Sequence, residues 1–460
     1  MEQITAVILA AGEGKRMNSH LPKVLHSICG RTLLGHVLFA ADPICGEKVV
    51  VVGHGAEQVK ETFKDSVKYA YQREQLGTGH AVMQAVPFVP AAGSVFILCG
   101  DTPLLDEDIL RNLLQTHRKA GAAATVLTAV LPDSYGYGRI IRSDSGDVIK
   151  IVEEKDATEA ERDVREINTG SYIFSAAILH EALKGLDNDN AQGEYYLTDC
   201  IELIIGQGKK VASHCMDDYR MALGVNDRLQ LAEAQCLMRE RINSRLMASG
   251  VTMVDPATTY IDADTTVGRD TVLLPNTALR GRTAIGEDCV VGPNCEITDS
   301  RLGRAVTVRH SVITGCTLED DVNVGPFAHL RPETVLREGV KVGDFVEVKK
   351  SDIGPNSKIP HLSYIGDAIV GASVNLGAGT IVVNYDGRKK HLTTIEDNSF
   401  IGCNSNLVAP VKIGKGAFVA AGSTITKDVP SGSLSLARPK QVNKDGLAGR
   451  FIDQGKDGDS

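Results

Sequence analysis

Two folds in one chain are predicted: an α/β sheet domain over residues 1–228, and a parallel β-helix with a C-terminal tail over residues 250–460. One long helix over 229–249 joins them. Three observations carry this. Up to about residue 228, short apolar runs (TAVILAA, KVVVVG, VFILCGD, ATVLTAV) alternate with helical stretches such as DEDILRNLLQTHRKAG. NDRLQLAEAQCLMRERINSRLMASG then spaces its apolar residues three and four apart and stops at Gly250. Beyond it the pattern becomes hexameric.

The hexads can be followed residue by residue. Ile261, Val267, Leu273, Leu279, Ile285, Val291 and Ile297 fall six apart, with glycine at 268, 286 and 292. Val312, Leu318, Val324 and Leu330 form a second run. Ile395, Ile401, Leu407, Ile413, Val419 and Ile425 form a third, with glycine at 402 and 414. One inward aliphatic per six residues, flanked by small or turn-forming neighbours, is how a β-helix stacks its coils.

Bulk properties narrow the function. At 460 residues the chain exceeds one ordinary core, and 46 glycines suit a fold with many corners. A net charge of -9 gives no support to a nucleic-acid surface. The ten cysteines include no close CxxC pair, which argues against a zinc module or a disulfide framework and fits reduced thiols in the cytoplasm. ITAVILAA follows Glu2 without a basic leader, so it reads as a buried strand rather than a signal peptide. Nothing approaches the roughly 18 apolar residues of a membrane span.

In LAAGEGKRM, Gly12, Gly14 and Lys15 come close to a phosphate-binding P-loop. The spacing is too short, and Arg16 stands where Ser or Thr belongs. The loop still allows close backbone approach, with Arg16 and Lys23 as nearby cations, and so suits a nucleotide triphosphate. Asp101 ends the apolar run FILCGD, where a carboxylate suits a metal better than a core. Asn226 offers a second oxygen, and hard ions prefer oxygen. Gly77 and Thr78 in QLGTGHA form a tight turn able to press backbone against a flat ring.

In the hexad region the informative part is where the pattern breaks. Arg331, Lys349 and Lys350 cluster, His361, Tyr364 and Asn375 follow, and VNYDGRKKH interrupts the repeat between Ile381 and Ile395 like an inserted loop. An imidazole titrates near neutrality and suits His361 to take a proton from an attacking amine. Arg331 and Lys349 suit a phosphate.

LAAGEGKRM…LPKVLHSICG, QLGTGHA, GDTPL, YGR and EINTG resemble the sugar-nucleotide pyrophosphorylases. With the β-helix attached, residues 1 to 445 resemble the bifunctional N-acetylglucosamine-1-phosphate uridyltransferase / glucosamine-1-phosphate N-acetyltransferase family. The resemblance implies a Rossmann-like nucleotidyltransferase domain, a left-handed β-helix and a homotrimer with sites between subunits. It places Leu9, Ala10, Ala11, Gly12 and Lys23 on the nucleotide, with Arg16 and Lys23 balancing the triphosphate. Gln72, Gly77 and Thr78 would read uracil and its surroundings. Cys99, Gly100, Gly138, Glu153 and Asn168 would line the substrate, with Gly138, Glu153 and Asn168 on the N-acetylglucosamine. Asp101 and Asn226 would hold Mg2+. In the second site Arg331, Lys349, Tyr364, Asn375 and Lys390 would bind glucosamine-1-phosphate, with His361 as base. Ala378, Asn384, Tyr385, Cys403, Ala421 and Arg438 would contact acetyl-CoA. Two positions depart from the family: Cys99 stands where Tyr is common, and Cys403 where Ser is usual.

The implied product is UDP-N-acetylglucosamine, made from UTP, acetyl-CoA and glucosamine-1-phosphate by acetylation and then uridylylation, and consumed in peptidoglycan and lipopolysaccharide synthesis. Two other readings remain at this stage. A sugar-1-phosphate nucleotidyltransferase of different specificity, with a regulatory β-helix, would not need His361. A non-catalytic assembly subunit would have lost Arg16, Lys23 or Asp101; all three are present.

Overall fold

A computed structural model describes residues 3–451, so the end of the expected tail, 452–460, lies outside the described residues. Contacts divide the chain into two units, 1–242 and 243–460.

In the first unit a nine-stranded sheet runs in the order Val211–Cys215, Ala124–Val130, Glu166–Ser175, Ser94–Cys99, Ile4–Ala10, Glu47–Val52, Lys68–Tyr71, with a hairpin of Arg139–Arg142 and Val148–Val152 attached. The central strands are buried on both faces, which is why they read as unbroken apolar runs rather than alternating ones. Ile8, Phe96 and Leu98 pack with Leu34 and Leu110 on one face; Val7, Val51 and Ile97 pack with Ala81 and Val82 on the other. Ile4–Ala10 is parallel to both neighbours: the chain leaves it on one side for Glu47–Val52 and returns on the other as Ser94–Cys99. Open α/β sheets bind ligands outside the carboxyl ends of strands at such a reversal. The sequence after Ala10 and after Cys99 therefore meets at the expected crevice.

The long helix spans Arg228–Ala248. Asp227 opens it by accepting the amides of Leu229 and Gln230 (3.0 and 2.9 Å). Gly250 closes it in the left-handed region (φ 100), with the amides of Gly250 and Val251 returned to Met247 and Leu246, a Schellman closure. The division between units falls inside this helix, at Ile242/Asn243, rather than at its start. Ala234, Met238 and Ile242 are buried, Gln235 accepts the Cys29 amide (2.9 Å), and Arg241 donates to the Leu104 carbonyl (2.8 Å).

In the second unit three sheets of eleven, ten and nine short strands stack in parallel, one strand of each per coil. Most hexad aliphatics point inward: Leu273, Leu279, Val291, Ile297, Ile401, Leu407, Ile413 and Val419 have no exposed surface. Three placements differ from the hexad reading. Val312 is 43% exposed and Ile313 takes the inward position instead. The cause is a shortened side: Ile297 to Leu302, Val308 to Ile313 and Ile313 to Leu318 are five-residue steps, and a one-residue slip turns a side chain to the other face. Val267 is only half-buried, and Val382 rather than Ile381 fills the core before the insertion. All ten cysteines are free thiols.

Candidate active sites

The crevice of the first unit holds two adjoining cavities, of about 280 and 230 Å³, which share Leu9, Thr78 and Cys99. The larger is lined by Ala10, Ala11, Gly12, Lys23, Gln72, Gly77 and Asp101, and the smaller by Gly138, Glu153 and Asn168. Gly100 is bound to the Leu9 carbonyl through its amide (2.9 Å), which aligns the two strand ends. Arg16 is exposed on the turn Lys15–Met17 and lies outside both linings.

Local chemistry explains the shape. A Cβ on Gly14 (φ 65) would stand 2.7 Å from the Lys23 Cβ, so glycine lets the loop fold against Lys23. The Lys23 ammonium donates to the Asp101 carboxylate and to Asn226 Oδ1 (3.0 Å). The Asp101 carbonyl accepts the Val225 amide (2.8 Å), and this brings residue 226 across 125 residues of sequence. Two oxygens therefore converge on one cationic point. Gly77 (φ 102) caps the helix Thr78–Ala85, where a Cβ would strike the Tyr195 carbonyl at 2.7 Å. Thr78 Oγ1 accepts the Leu197 amide (3.1 Å).

The smaller cavity is built on a bulge. The strand Glu166–Ser175 loses register between Asn168 and Tyr172, and this aims residues 168–170 at the opening. Asn168 accepts the Gly170 amide (3.0 Å) and donates to the Tyr172 hydroxyl (2.6 Å). Burial raises the Glu153 carboxyl above the usual range, opposed by the Thr198 hydroxyl that donates to it (3.1 Å). The Cys99 thiol donates to the Gly170 carbonyl (3.5 Å), and burial pushes it up to about 12, so it stays protonated. Arg139 of the YGR motif is almost fully buried and pairs with Glu154 (2.6 Å), which also accepts the Gly136 amide (3.0 Å). It holds the cavity wall rather than facing the cavity.

In the second unit the ladder turns sequence distance into stacking. Asp344 and His361 are register partners, and the imidazole Nδ1 is hydrogen-bonded to the Asp344 carboxylate. One coil on, Asn375 pairs with Lys358, and this sets Ala378 over His361. The amides of Asn404 and Gly422 then bond the carbonyls of Ala378 and Cys403 (both 2.8 Å), and Arg438 donates to the Ala421 carbonyl (2.6 Å). His361, Ala378, Cys403, Ala421 and Arg438 thus form one column along a corner. Around the next strand stand the cations. Arg331 pairs with Glu347 (2.7 Å), and the Lys349 ammonium is held below its ordinary value by Lys390 beside it. The backbone amide of Lys389 donates to the Asp386 carboxylate (2.8 Å) within the inserted loop.

Tyr364 joins this second group, for Asn384 donates to its hydroxyl (3.4 Å) and to Asp367 (2.5 Å). Asn384, expected among the acetyl-CoA contacts, is therefore buried against Tyr364, which is expected among the glucosamine-1-phosphate contacts. Tyr385 is 56% exposed and bridges Lys390 across the inserted loop, which Asp386 and His391 close (2.7 Å). Asn375 begins the strand Asn375–Leu376, three positions before Ala378.

Comparison with known proteins decides between the readings. The MobA-like NTP transferase domain family matches residues 6–160, and the bacterial transferase hexapeptide family (six repeats) matches 264–299 and 392–427. A bifunctional protein GlmU of Caldanaerobacter subterraneus subsp. tengcongensis is 54% identical over 457 residues, 99% of this chain and 100% of that protein. One from a Geobacillus species is 54% identical over 448 residues (97% and 98%), and one from Heliobacterium modesticaldum 52% over 453 (98% and 99%). The chain belongs to the GlmU family. It is a bifunctional acetyltransferase and uridyltransferase producing UDP-N-acetylglucosamine, and its coil is the left-handed β-helix of hexapeptide proteins.

Several residues of the GlmU clusters escaped the sequence reading. Gln75 lines the larger cavity and donates to the Ala11 carbonyl (3.1 Å), Glu194 lines it too, and Thr198 and Tyr172 line the smaller. Gln75 opens the QLGTGHA stretch but is given no role there by that reading, whereas Glu194, Thr198 and Tyr172 carry no motif signal. Asp344 did carry one: it stands one coil, seventeen residues, before His361. Among the described residues no helix is long and apolar enough to cross a membrane.

Proposed function

We propose that acetylation at the β-helix site precedes uridylylation at the sheet site, in the cytoplasm. The observation supporting two separate sites is that each expected residue group gathers within its own unit, around Lys23–Asp101–Asn226 in one and His361–Asp344 in the other. In the first step the phosphate of glucosamine-1-phosphate is held by Arg331, Lys349 and Lys390. Asp344 holds Nδ1 of His361, leaving Nε2 to take the proton that the amine loses as it attacks the thioester carbon of acetyl-CoA. The C–S bond breaks, and the CoA sulfur leaves to be protonated. Ala378, Cys403, Ala421 and Arg438 line the path along the corner that the cofactor would follow.

In the second step a phosphate oxygen of N-acetylglucosamine-1-phosphate attacks the α-phosphorus of UTP, and the bond to the β-phosphate breaks, releasing pyrophosphate. Both reactants are anionic, so the residues act mainly by offsetting charge at the transition state. Lys23 carries that charge, with Arg16 reaching in from its turn. Gln72, Gly77 and Thr78 hold uracil, and Gly138, Glu153 and Asn168 hold the sugar. Asp101 and Asn226 would hold Mg2+: a carboxylate and an amide oxygen already aimed at one cation suit a hard ion that takes its other ligands from water and phosphate. That ion would screen the triphosphate and polarise its oxygens.

A homotrimer follows from the same reading. Phe327, Phe345 and Leu362 stand outward on successive corners at 55, 58 and 59% exposure, and the two phenylalanine rings stack at 5.4 Å; burial against a neighbouring copy would cover them. The test of the whole scheme is product analysis with UTP, acetyl-CoA and glucosamine-1-phosphate, each omitted in turn. Omitting UTP should leave N-acetylglucosamine-1-phosphate. UDP-glucosamine appearing when acetyl-CoA is omitted would refute the order.

A further inference from the structure

We propose that His80 is a positioning residue for nucleotide choice: it fixes the Gln72 amide so that only a base with an imide N–H is accepted. The proposal rests on the reading that Gln72 faces the base, and it deepens that reading. Gln72 is 4% exposed and lines the larger cavity. Its Nε2 is 3.0 Å from the Gly77 carbonyl and 3.2 Å from His80 Nδ1.

A carbonyl oxygen can only accept, so the atom facing Gly77 must be the NH2 end of the amide. The same NH2 then supplies its second hydrogen to His80, whose Nδ1 must be the unprotonated acceptor with its proton on Nε2. Both amide hydrogens are consumed by protein. What Gln72 can offer a ligand is its Oε1, an acceptor. Uracil presents a ring N3–H to such an acceptor, whereas cytosine presents a bare N3 and meets a mismatch. A buried amide left facing the wrong group loses its hydrogen bond without water to replace it.

His80 is itself fixed. It sits in the first turn of Thr78–Ala85, its ring lies 6.4 Å from that of Tyr195, and the Tyr195 carbonyl holds the Gly79 amide (2.8 Å). Without the His80 acceptor, the Gly77 carbonyl alone would orient the amide, and the second N–H would be free to turn toward the cavity. The QLGTGHA stretch then has a use for its histidine as well as for its glycines.

The test is steady-state uridyltransfer by the full-length protein with UTP or CTP as nucleotide. His80→Phe keeps a ring but removes the acceptor. It should raise KM for UTP and shrink the UTP-over-CTP preference in kcat/KM by roughly tenfold each, with kcat at saturating UTP little changed. His80→Asn places Oδ1 where Nδ1 stood and should restore the preference. Acetyltransferase activity and melting temperature certify that each variant is folded. A His80→Phe protein with the wild-type preference, or a folded His80→Asn protein that fails to restore it, would overturn the role of His80. A wild-type protein that did not prefer UTP would instead remove the reading of Gln72 beneath it, and that result would appear before any substitution was made.

Discussion

The sheet cluster and the β-helix cluster, each proposed to hold an anionic sugar phosphate, arrange their cations in opposite ways. In the sheet unit the cation is already spoken for: Lys23 is bound to Asp101 and Asn226, only 13% of its side chain exposed. On the proposed assignment substrate and metal would enter by exchange, with Lys23 giving up its carboxylate as phosphate arrives. In the β-helix the Lys349 and Lys390 ammoniums lie side by side and repel each other. There a bound phosphate would relieve a repulsion. One site would gate its charge behind a carboxylate and the other sets two ammoniums against each other, so the two should fail differently when damaged.

The largest expected break is at His361. Positioned proton transfer is worth roughly 10²–10⁴ in rate, so His361→Ala should lower acetyltransferase kcat by that order while uridyltransfer continues. Saturation kinetics on the folded variant check this; turnover near wild type would end the general-base role. Next is Asp101→Ala, which should cost roughly 10²–10³ in uridyltransfer, the scale of losing one preorganised electrostatic group, and spare acetyltransfer. It also frees Lys23. If charge gating is right, the variant should need more Mg2+ to reach half-maximal rate, a titration that an unaltered metal dependence would contradict.

How legible these sites were in the sequence follows from how each is built. In the β-helix, register does the assembling, and His361 stands out where the hexads break, while Cys403, beyond the inserted loop, is named only through the family resemblance; five-residue sides, as at Ile313, also break the count. Asp344 was readable on the same ruler, one coil back from His361. In the sheet unit, Leu9 to Gly12 and Asp101 were legible because strand ends in α/β folds are where ligands sit. Thr198 and Glu194 were not, since they reach the cavity through loops whose path no periodicity encodes. The helix Arg228–Ala248 looked like a connector from its pattern alone. Its side chains at 234, 238 and 242 are buried and fall within the unit that ends at Ile242, which the pattern alone does not show.

That helix sharpens the comparison through stability rather than rate. A fragment of residues 1–228 keeps most of the site but loses Met238 and Ile242, each burial worth roughly 1.5–3 kcal/mol. Against a fragment of residues 1–250, its melting temperature should fall by about 10 °C, taking 2–4 °C per kcal/mol for a unit of this size. Both fragments should lack acetyltransferase activity. Equal melting temperatures would show that the helix is a linker after all.

The smallest expected effect is at Glu153, and its sign distinguishes the sites by pH. Burial raises this carboxyl, so the folded protein binds its proton more tightly than the unfolded chain does. A group raised in the folded state gives stability below its unfolded pKa and loses it as pH rises through the folded one. At neutral pH the buried charge is therefore a cost, and Glu153→Gln should raise the melting temperature at pH 7 by more than at pH 4.5. Function should move the other way. In the proposed role the ionised carboxylate would accept from sugar hydroxyls, so wild-type KM for N-acetylglucosamine-1-phosphate should climb on acidification, starting at higher pH than an ordinary glutamate would give. The variant should show a higher KM throughout and a flatter acid limb. Acetyltransfer has no such group in its cluster and should keep its own profile in both proteins. An unchanged acid limb in Glu153→Gln would remove Glu153 from sugar binding while leaving the stability difference to stand on burial alone.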